Sequence, residues 1–387
     1  MTQHICIITT AHPLDDVRVY SKVALSFLEQ GFQVSWVGPE VYYFSGPQHR
    51  DARISYALTP PIRNRLQRLT SVRRVARRAR GVQAVDWYYA PDPDAAEAAI
   101  RLATGSASKV LFDIHEVFHG TLLDRWLFGR RAPLVRDLVR RRIARTASAS
   151  DLVMAVSDSV LRLYADPAHP QVVVRNCAPR WFAHDVPNRT DNHDDDPTPP
   201  TTIFMHGKSL TTNGTQVVLE ALAHLGGTRE HARVILMRSL GPERPPFILD
   251  LEERIESLDL GQSVQQHDAV THNQMPLLLR KCDVGIIAYG RGLGRDSLPN
   301  RLFEYMAAGL AILAPSYSDE IRRIVESERI GRVVDFEKPE DVADAMKWFI
   351  DHPHETRAMG ERARAAFSLR HNWTSEFEKL TTAMGGV

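Results

Sequence analysis

The chain of 387 residues contains only three cysteines: Cys6, Cys177 and Cys282. They are odd in number, far apart and without C-x-x-C spacing, which argues against a disulfide framework or a cysteine-based zinc site and indicates a reducing compartment. The sequence also lacks an apolar run of spanning length and the basic and apolar regions of a signal peptide. We therefore expect a cytoplasmic protein without a transmembrane helix.

A net charge is almost absent as well, since 48 basic and 47 acidic residues give a formal charge of +1. The balance differs between the two halves of the chain. Residues 1–187 hold 25 Lys or Arg and 17 Asp or Glu, whereas the remainder holds 23 and 30. Such asymmetry predicts that the N-terminal half faces an anionic partner.

Two arginine-rich segments carry most of this basic excess. Arg63–Arg80 contains no acid, and Arg125–Arg145 contains one, Asp137. Both interleave arginine with apolar residues at helical spacing, a pattern typical of amphipathic helices on an anionic membrane surface. The alternative is a pair of solvated helix faces. No nucleic-acid-binding motif accompanies the charge, so we expect no nucleic-acid partner.

Strand and helix patterns alternate along the whole chain. Strand-like apolar runs occupy residues 4–10, 32–37, 87–89, 109–113, 152–156, 202–206, 233–238, 284–288 and 311–314. Continuously apolar strands that alternate with helices predict an α/β protein with two doubly wound, Rossmann-like parallel sheets facing a central cleft.

The segment 184–202 is polar, acidic and rich in proline, as expected of a linker. We therefore predict an N-terminal domain over residues 1–183 and a C-terminal domain over residues 203–365. The C-terminal helical segment, residues 366–387, is expected to pack back on the N-terminal domain.

The segment DSLPNRLFEYMAAGL, residues 296–310, predicts a loop that opens onto a helix. A helix N-terminus presents free backbone N–H groups and the positive end of the helix dipole, which suits a phosphate. Glu304, eight residues after Asp296, can accept hydrogen bonds from hydroxyls of the same ligand. The alternative is an ordinary helix with surface acids.

This segment resembles the E-x7-E element of retaining glycosyltransferases with the GT-B fold, a large family that uses nucleotide-sugar donors. The likeness continues along the chain in the family's order, through TTAHPLDDVRV, FDIHEVF, VSDSVLRLY, VVVRNCAP, HGKSLTTNGTQVVLEAL and LRKCDVGIIAY. It implies a hexosyltransferase-type enzyme whose N-terminal domain binds the acceptor and whose C-terminal domain binds the donor.

The resemblance also assigns residues to the donor. Glu304 matches the acid that holds the ribose hydroxyls, and Asp296 stands where a glutamate usually lies beside the transferred sugar. Lys208 matches the basic residue that stabilises the departing diphosphate. Asn213 replaces a second basic residue, for which Arg291, Arg295 and Arg301 are candidate substitutes. The remaining expected donor-binding residues are Gly207, Leu298, Asn300 and Arg301.

In the N-terminal half, His115 matches the family's histidine that faces the anomeric carbon. The expected catalytic residues are therefore His115, Asp296 and Lys208. On the acceptor side we expect His12, Asp16, Arg18 and Glu116. For Asp16 two interpretations stay open: it contacts the acceptor or Arg18, or it caps the following helix.

Neither of two acidic patterns is expected to bind metal. Asp92-Pro-Asp94 is explained by helix capping, and Asp194–Asp196 falls in the linker. The resemblance implies catalysis without a metal or other cofactor. It also implies retaining transfer to a hydroxyl. The two arginine-rich segments of the N-terminal half add the expectation of a membrane-associated acceptor, in polysaccharide or glycolipid biosynthesis, and of a protein peripheral to the inner membrane face. Alternatives are a soluble enzyme that decorates a small molecule, a GT-B-fold nucleotide-sugar epimerase, and a noncatalytic partner subunit.

Overall fold

The computed structural model describes residues 2–42, 46–61, 65–115, 132–184, 200–206, 214–237, 245–291, 295 and 297–387. The chain divides into two compact units. The first comprises Met1–Arg175 together with Ser375–Val387, and the second comprises Asn176–Thr374.

The first unit is built on a seven-stranded parallel sheet. Its strands are β1 (His4–Ile8), β2 (Gln33–Pro39), β3 (Ser55–Thr59), β4 (Trp87–Ala90), β5 (Lys109–Ile114), β6 (Leu152–Ala155) and β7 (Gln171–Val173). Their order is β3-β2-β1-β4-β5-β6-β7, and every pair is parallel. All residues of β1, β4 and β6 are buried because helices cover both faces of a parallel sheet.

Helices connect these strands. They are Leu25–Glu29, which continues the π-helix Val17–Ala24, then Arg65–Ala79, Pro93–Ala103, Ala132–Ser148 and Asp158–Tyr164, with a 3₁₀ turn at Pro47–His49. The last helix, Trp373–Gly385, adds its Phe377 ring to this unit, 4.9 Å from the ring of Phe27 in an edge-to-face contact.

The second unit contains a six-stranded parallel sheet. Its strands are β8 (Thr201–His206), β9 (Ala232–Met237), β10 (Val264–His267), β11 (Val284–Ile286), β12 (Ala311–Pro315) and β13 (Gly331–Val334), in the order β10-β9-β8-β11-β12-β13. The prediction of two doubly wound parallel sheets is thereby confirmed.

The helices of the second unit pack on both faces of its sheet and form two hydrophobic clusters with it. They are Trp181–His184, Thr215–His224, Pro245–Ser257, Met275–Leu279, Asn300–Ala308, Asp319–Glu328, Pro339–Asp351 and Pro353–Leu369, with 3₁₀ turns at Gly226–His231 and His272–Gln274. Throughout the part of the chain that the structure describes, no helix is long and apolar enough to cross a membrane.

Each sheet has one point at which the strand order reverses. In the first sheet it lies between β1 and β4, and in the second between β8 and β11. Ligands of doubly wound proteins bind outside the carboxyl ends of the strands at such a point. The segments that follow these four strands are therefore where a site is expected.

Candidate functional site

In the first unit, the segments after β1 and β4 meet at His12 and Asp92. The Nε2 atom of His12 lies 3.6 Å from Asp92 Oδ1, and its Nδ1 atom lies 3.3 Å from Asp16 Oδ2. Burial by itself lowers the pKa of His12, but the charge of Asp92 and then the hydrogen bond to Asp16 raise it to about 9. His12 is therefore an imidazolium at neutral pH.

Asp16 caps the helix that follows it. Its Oδ1 accepts a hydrogen bond from the backbone N–H of Val19 at 2.7 Å, while Oδ2 contacts His12. Burial acts to raise the pKa of Asp16, yet the hydrogen bond and charge of His12 lower it to about 2. Of the two interpretations of Asp16, the structure shows the helix cap, and it shows no contact with the Arg18 side chain among the hydrogen bonds described.

Arg18 lies in the protein interior rather than on an acceptor-facing surface, contrary to expectation. Its side chain is 4% exposed and forms a two-pronged ion pair with Asp113, with Nε to Oδ2 at 2.8 Å and Nη2 to Oδ1 at 2.9 Å. Tyr89 donates a further hydrogen bond to Asp113 Oδ2 at 2.6 Å. The physical reason is that a buried guanidinium needs a carboxylate partner, and β5 supplies one.

His115, directly after β5, lies beside His12. Its ring centroid is 4.9 Å from that of His12 in an edge-to-face arrangement. Its charge contributes to lowering the pKa of both Asp16 and Asp113. The structure thus brings together the expected residues His12, Asp16 and His115.

Asp92 also contacts His12. Sequence reasoning missed this contact because it interpreted Asp92 as a helix cap. It precedes the helix Pro93–Ala103, but its side chain makes no capping hydrogen bond there. Instead Oδ2 accepts hydrogen bonds from Thr9 Oγ1 at 2.6 Å and from the backbone N–H of Thr10 at 2.8 Å. Asp92 therefore ties the end of β1 to the end of β4 and stabilises the charge of His12.

In the second unit, the helix Asn300–Ala308 begins after β11 and ends at Gly309, which has the left-handed φ of 74°. Its N-cap is Pro299, which supplies no side-chain cap, and no acid occupies the first turn. Among the described residues, no side chain therefore caps the first backbone N–H groups, an arrangement that suits the anion expected from the sequence. Leu298 is buried beside this N-terminus, and Asn300 is partly exposed.

Arg301 connects this helix to β8. Its Nη1 donates a hydrogen bond to the carbonyl of His206 at 2.8 Å, and its guanidinium lies 5.2 Å from the ring centroid of Tyr289. His206 is the last residue of β8. The cation of Arg301 is thus fixed at the point where the strand order reverses, which favours it over the other candidate substitutes for the second basic residue.

Arg291 is held elsewhere, since its guanidinium lies 2.5 Å from Asp335 Oδ2 and 3.3 Å from Glu337 Oε2. Arg295 is exposed. Several expected residues lie outside the described part of the chain, namely Gly207, Lys208, Asn213, Asp296 and Glu116.

Glu304 lies on the same helix, with its side chain 13% exposed. Its Oε1 is 3.2 Å from Nε2 of His272, in the 3₁₀ turn His272–Gln274. The ring of His272 packs against Trp181 and Phe182, with centroid distances of 5.5 Å and 5.4 Å. Sequence reasoning missed His272 because it is 32 residues from Glu304 and belongs to no motif.

No group of three or more potential metal-ligating side chains occurs among the residues that the structure describes. The sequence His115–His119 has H-E-x-x-H spacing, a zinc-binding pattern when it lies on a helix. Residues 116–119 of this pattern lie outside the described residues.

Part of the chain matches a known sequence family, and the whole chain is similar to solved structures. Residues 189–366 match the sequence family described as "Glycosyl transferases group 1". A search of curated protein sequences finds no match.

Several solved structures are similar over the whole chain. HepE from Anabaena, in complex with UDP, has a TM-score of 0.74 at 13% identity, with all of both chains covered. The α,α-trehalose 6-phosphate synthase from Burkholderia multivorans has a TM-score of 0.71 at 15% identity, covering 100% of this chain and 97% of that one. WaaG, a glycosyltransferase involved in lipopolysaccharide biosynthesis, has a TM-score of 0.68 at 14% identity, covering 99% and 100%. These likenesses confirm the predicted GT-B fold.

Proposed function

We propose that the chain, whose residues 189–366 match the family described as "Glycosyl transferases group 1", transfers a sugar from a nucleoside diphosphate sugar to an acceptor hydroxyl. The observation that carries this proposal is the helix Asn300–Ala308, whose uncapped N-terminus, Arg301 and Glu304 meet at one end of the second sheet. Uncapped amides and a cation suit a diphosphate, and a carboxylate suits hydroxyls. HepE, which shares the fold, has been solved with UDP-glucose.

The proposed reaction retains the anomeric configuration. The acceptor hydroxyl attacks the face that the diphosphate leaves, through an oxocarbenium-like state, so the protein must stabilise the negative charge that develops on the leaving diphosphate. The amides at the N-terminus of the helix Asn300–Ala308, the guanidinium of Arg301 and the ammonium of Lys208 are assigned this role. Glu304 is assigned the ribose hydroxyls, and Asp296 the hydroxyls of the transferred sugar. No metal or other cofactor is required in this scheme.

In the first unit, we assign a catalytic role to His115 and acceptor-side roles to His12 and Asp16. The imidazole ring of His115 lies 4.9 Å from that of His12, and its ring nitrogens can exchange hydrogen bonds with a sugar hydroxyl.

Turnover by substituted enzymes tests the donor assignments. Glu304→Ala and Lys208→Ala should each reduce transfer about 10- to 100-fold or more, because each removes a charged hydrogen-bonding group. Glu326→Ala, an exposed acid on another helix of the same unit, serves as the control and should keep wild-type turnover. Wild-type rates in either Glu304→Ala or Lys208→Ala would refute the assignment. Transfer or donor hydrolysis by the purified chain would also exclude a noncatalytic partner subunit.

The acceptor is proposed to lie at an anionic membrane surface, as a lipid-linked intermediate or glycolipid. Three helices support this: Arg65–Ala79, Pro93–Ala103 and Ala132–Ser148 share one hydrophobic core and expose arginines on their outer side. Four exposed arginines at the first of them form no ion pair within the described part of the chain, and these are Arg73, Arg77, Arg78 and Arg80.

Vesicle co-sedimentation tests the membrane proposal. The double variant Arg73→Glu/Arg77→Glu should bind phosphatidylglycerol-containing vesicles at least about tenfold less than wild type, since each basic residue near such a surface contributes about 1 kcal/mol. Arg322→Glu/Lys281→Glu, which changes the same charge in the second unit, should bind as wild type does. Equal binding of wild type to neutral and anionic vesicles, or none, would contradict the proposal and favour a soluble acceptor.

A further inference from the structure

The side chain of His272 contacts the carboxylate of Glu304, which lies 32 residues later in the sequence. Its Nε2 atom lies 3.2 Å from Glu304 Oε1. An ionised carboxylate can only accept hydrogen bonds, so the proton between these atoms belongs to His272. The histidine therefore donates, and one oxygen of Glu304 has a fixed partner.

The ring of His272 is itself held in place. Trp181 packs edge-on against it at 5.5 Å with an interplanar angle of 81°, and Phe182 lies at 5.4 Å. The backbone at His272 is fixed by a capping box in which Thr271 and Gln274 bond to each other. The orientation of the imidazole is therefore determined by packing from one side and by the turn from the other.

The helix that carries the two aromatic residues is anchored as well. Arg364 donates a hydrogen bond to the carbonyl of Ala183 at 2.8 Å, and Arg180 donates one to Asn372 Oδ1 at 3.1 Å. A carboxylate that must meet a ligand in one orientation gains affinity when such rigid neighbours hold it there before binding. The side chains of His272 and Glu304 are 21% and 13% exposed, so a ligand can still reach them.

We propose that His272 is a positioning residue for the donor: clamped by Trp181 and Phe182, it orients the Glu304 carboxylate toward the ribose hydroxyls of the nucleotide. This inference rests on the proposed function, in which Glu304 holds those hydroxyls. It adds that selection of a ribonucleotide over a deoxyribonucleotide depends on a histidine that does not touch the sugar.

The test is the discrimination between ribo- and deoxyribonucleotides. Calorimetry with UDP, GDP and ADP identifies the base that wild-type protein binds best, and the same measurement with its 2′-deoxy form gives the ratio of the two affinities. We expect wild type to prefer the ribonucleotide about 10- to 100-fold, as for a hydrogen bond to a charged group. In His272→Ala that ratio should fall below about threefold, with affinity for the 2′-deoxy form almost unchanged.

Two further variants separate positioning from a merely structural role. His272→Gln keeps an N–H donor near the position of Nε2 and should restore most of the discrimination. Asn273→Ala, the exposed neighbour in the same turn, should bind as wild type does. In a Glu304→Ala background, His272→Ala should have no further effect on the ratio, because the residue through which it acts is gone.

Each adverse result has a distinct meaning. A wild-type ratio retained in His272→Ala, or an equal loss of affinity for both nucleotides, would overturn the positioning role and leave the proposed function standing. Wild-type protein that binds a nucleoside diphosphate without discrimination would overturn the ribose role of Glu304, and the positioning role with it. Wild-type protein that binds none of the three probes would overturn the proposed function itself.

Discussion

The buried ion pair between Arg18 and Asp113 gives the sharpest prediction about stability. Asp113 is fully buried and Arg18 is 4% exposed, and two hydrogen bonds of 2.8 Å and 2.9 Å join them. The Nη1 atom of Arg18 is buried without a hydrogen-bond partner in the described part of the chain. Arg18 Nη2 also donates a hydrogen bond to the carbonyl of Val174 at 3.3 Å, but the main counter-charge of the guanidinium is Asp113, whose pKa is lowered by the arginine against the effect of burial.

Asp113→Ala leaves the buried guanidinium of Arg18 without its paired carboxylate. Breaking one side of such a pair costs about 3–5 kcal/mol. For a unit of this size, each kcal/mol corresponds to roughly 2–4 °C in Tm, so the unfolding transition of the first unit should fall by about 6–20 °C. Differential scanning calorimetry measures this shift, and the transition of the second unit, which contains neither residue, should stay in place.

The double variant Arg18→Met/Asp113→Leu provides the decisive comparison. It removes both charges and fills the space with apolar atoms, so it should recover most of the stability that Asp113→Ala loses. A loss of unfolding free energy below about 1 kcal/mol in Asp113→Ala would refute the reasoning, since a charge left unpaired in the interior destabilises the protein by more than that. An equally low Tm in the double variant would show that the shape of the pair, rather than its charge, determines the stability.

Two further predictions concern pH and packing. The pKa of His12 is raised from 6.5 to about 9, so its contribution to folding is complete below pH 6.5 and is lost as pH rises through 9. Denaturant unfolding should therefore show about 2–3 kcal/mol less stability at pH 10 than at pH 6.5, and His12→Gln should flatten that difference. A Cβ atom at Gly360 would lie 2.1 Å from the carbonyl oxygen of Gly309. Gly360→Ala should therefore cost about 1–3 kcal/mol in thermal unfolding, whereas Gly227→Ala, where a Cβ meets nothing within 4 Å, should be nearly neutral.

The central strands of both sheets could be predicted from the sequence, and the edge strands could not. Sequence reasoning named nine strands and missed four, which are β3, β7, β10 and β13. These four are the outer strands of the two sheets. An edge strand is covered less completely, so its residues are partly exposed and it lacks the continuous apolar run by which a central strand is recognised.

The positions of the site residues followed from the same logic, but their pairings did not. Polar residues after β1 and β5 could be expected to meet, because the carboxyl ends of parallel strands share one edge. Tertiary packing determines that Arg18 pairs with Asp113, 95 residues later. It also determines that Asp92 accepts a hydrogen bond from Thr9 and does not cap its own helix. No local spacing encodes such a choice.

A count of charged residues in the sequence likewise does not show which arginines form ion pairs. The two arginine-rich segments look alike in sequence, yet their described arginines differ in what neutralises them. In the helix Ala132–Ser148, Arg140 and Arg141 pair with Asp137 of the same helix, and Arg142 pairs with Glu97. The exposed arginines near the end of the helix Arg65–Ala79 have no such partners among the described residues. A charge that already has a carboxylate within 4 Å contributes less to attraction at a distance. The first helix, rather than the second, should therefore provide most of the attraction to an anionic surface.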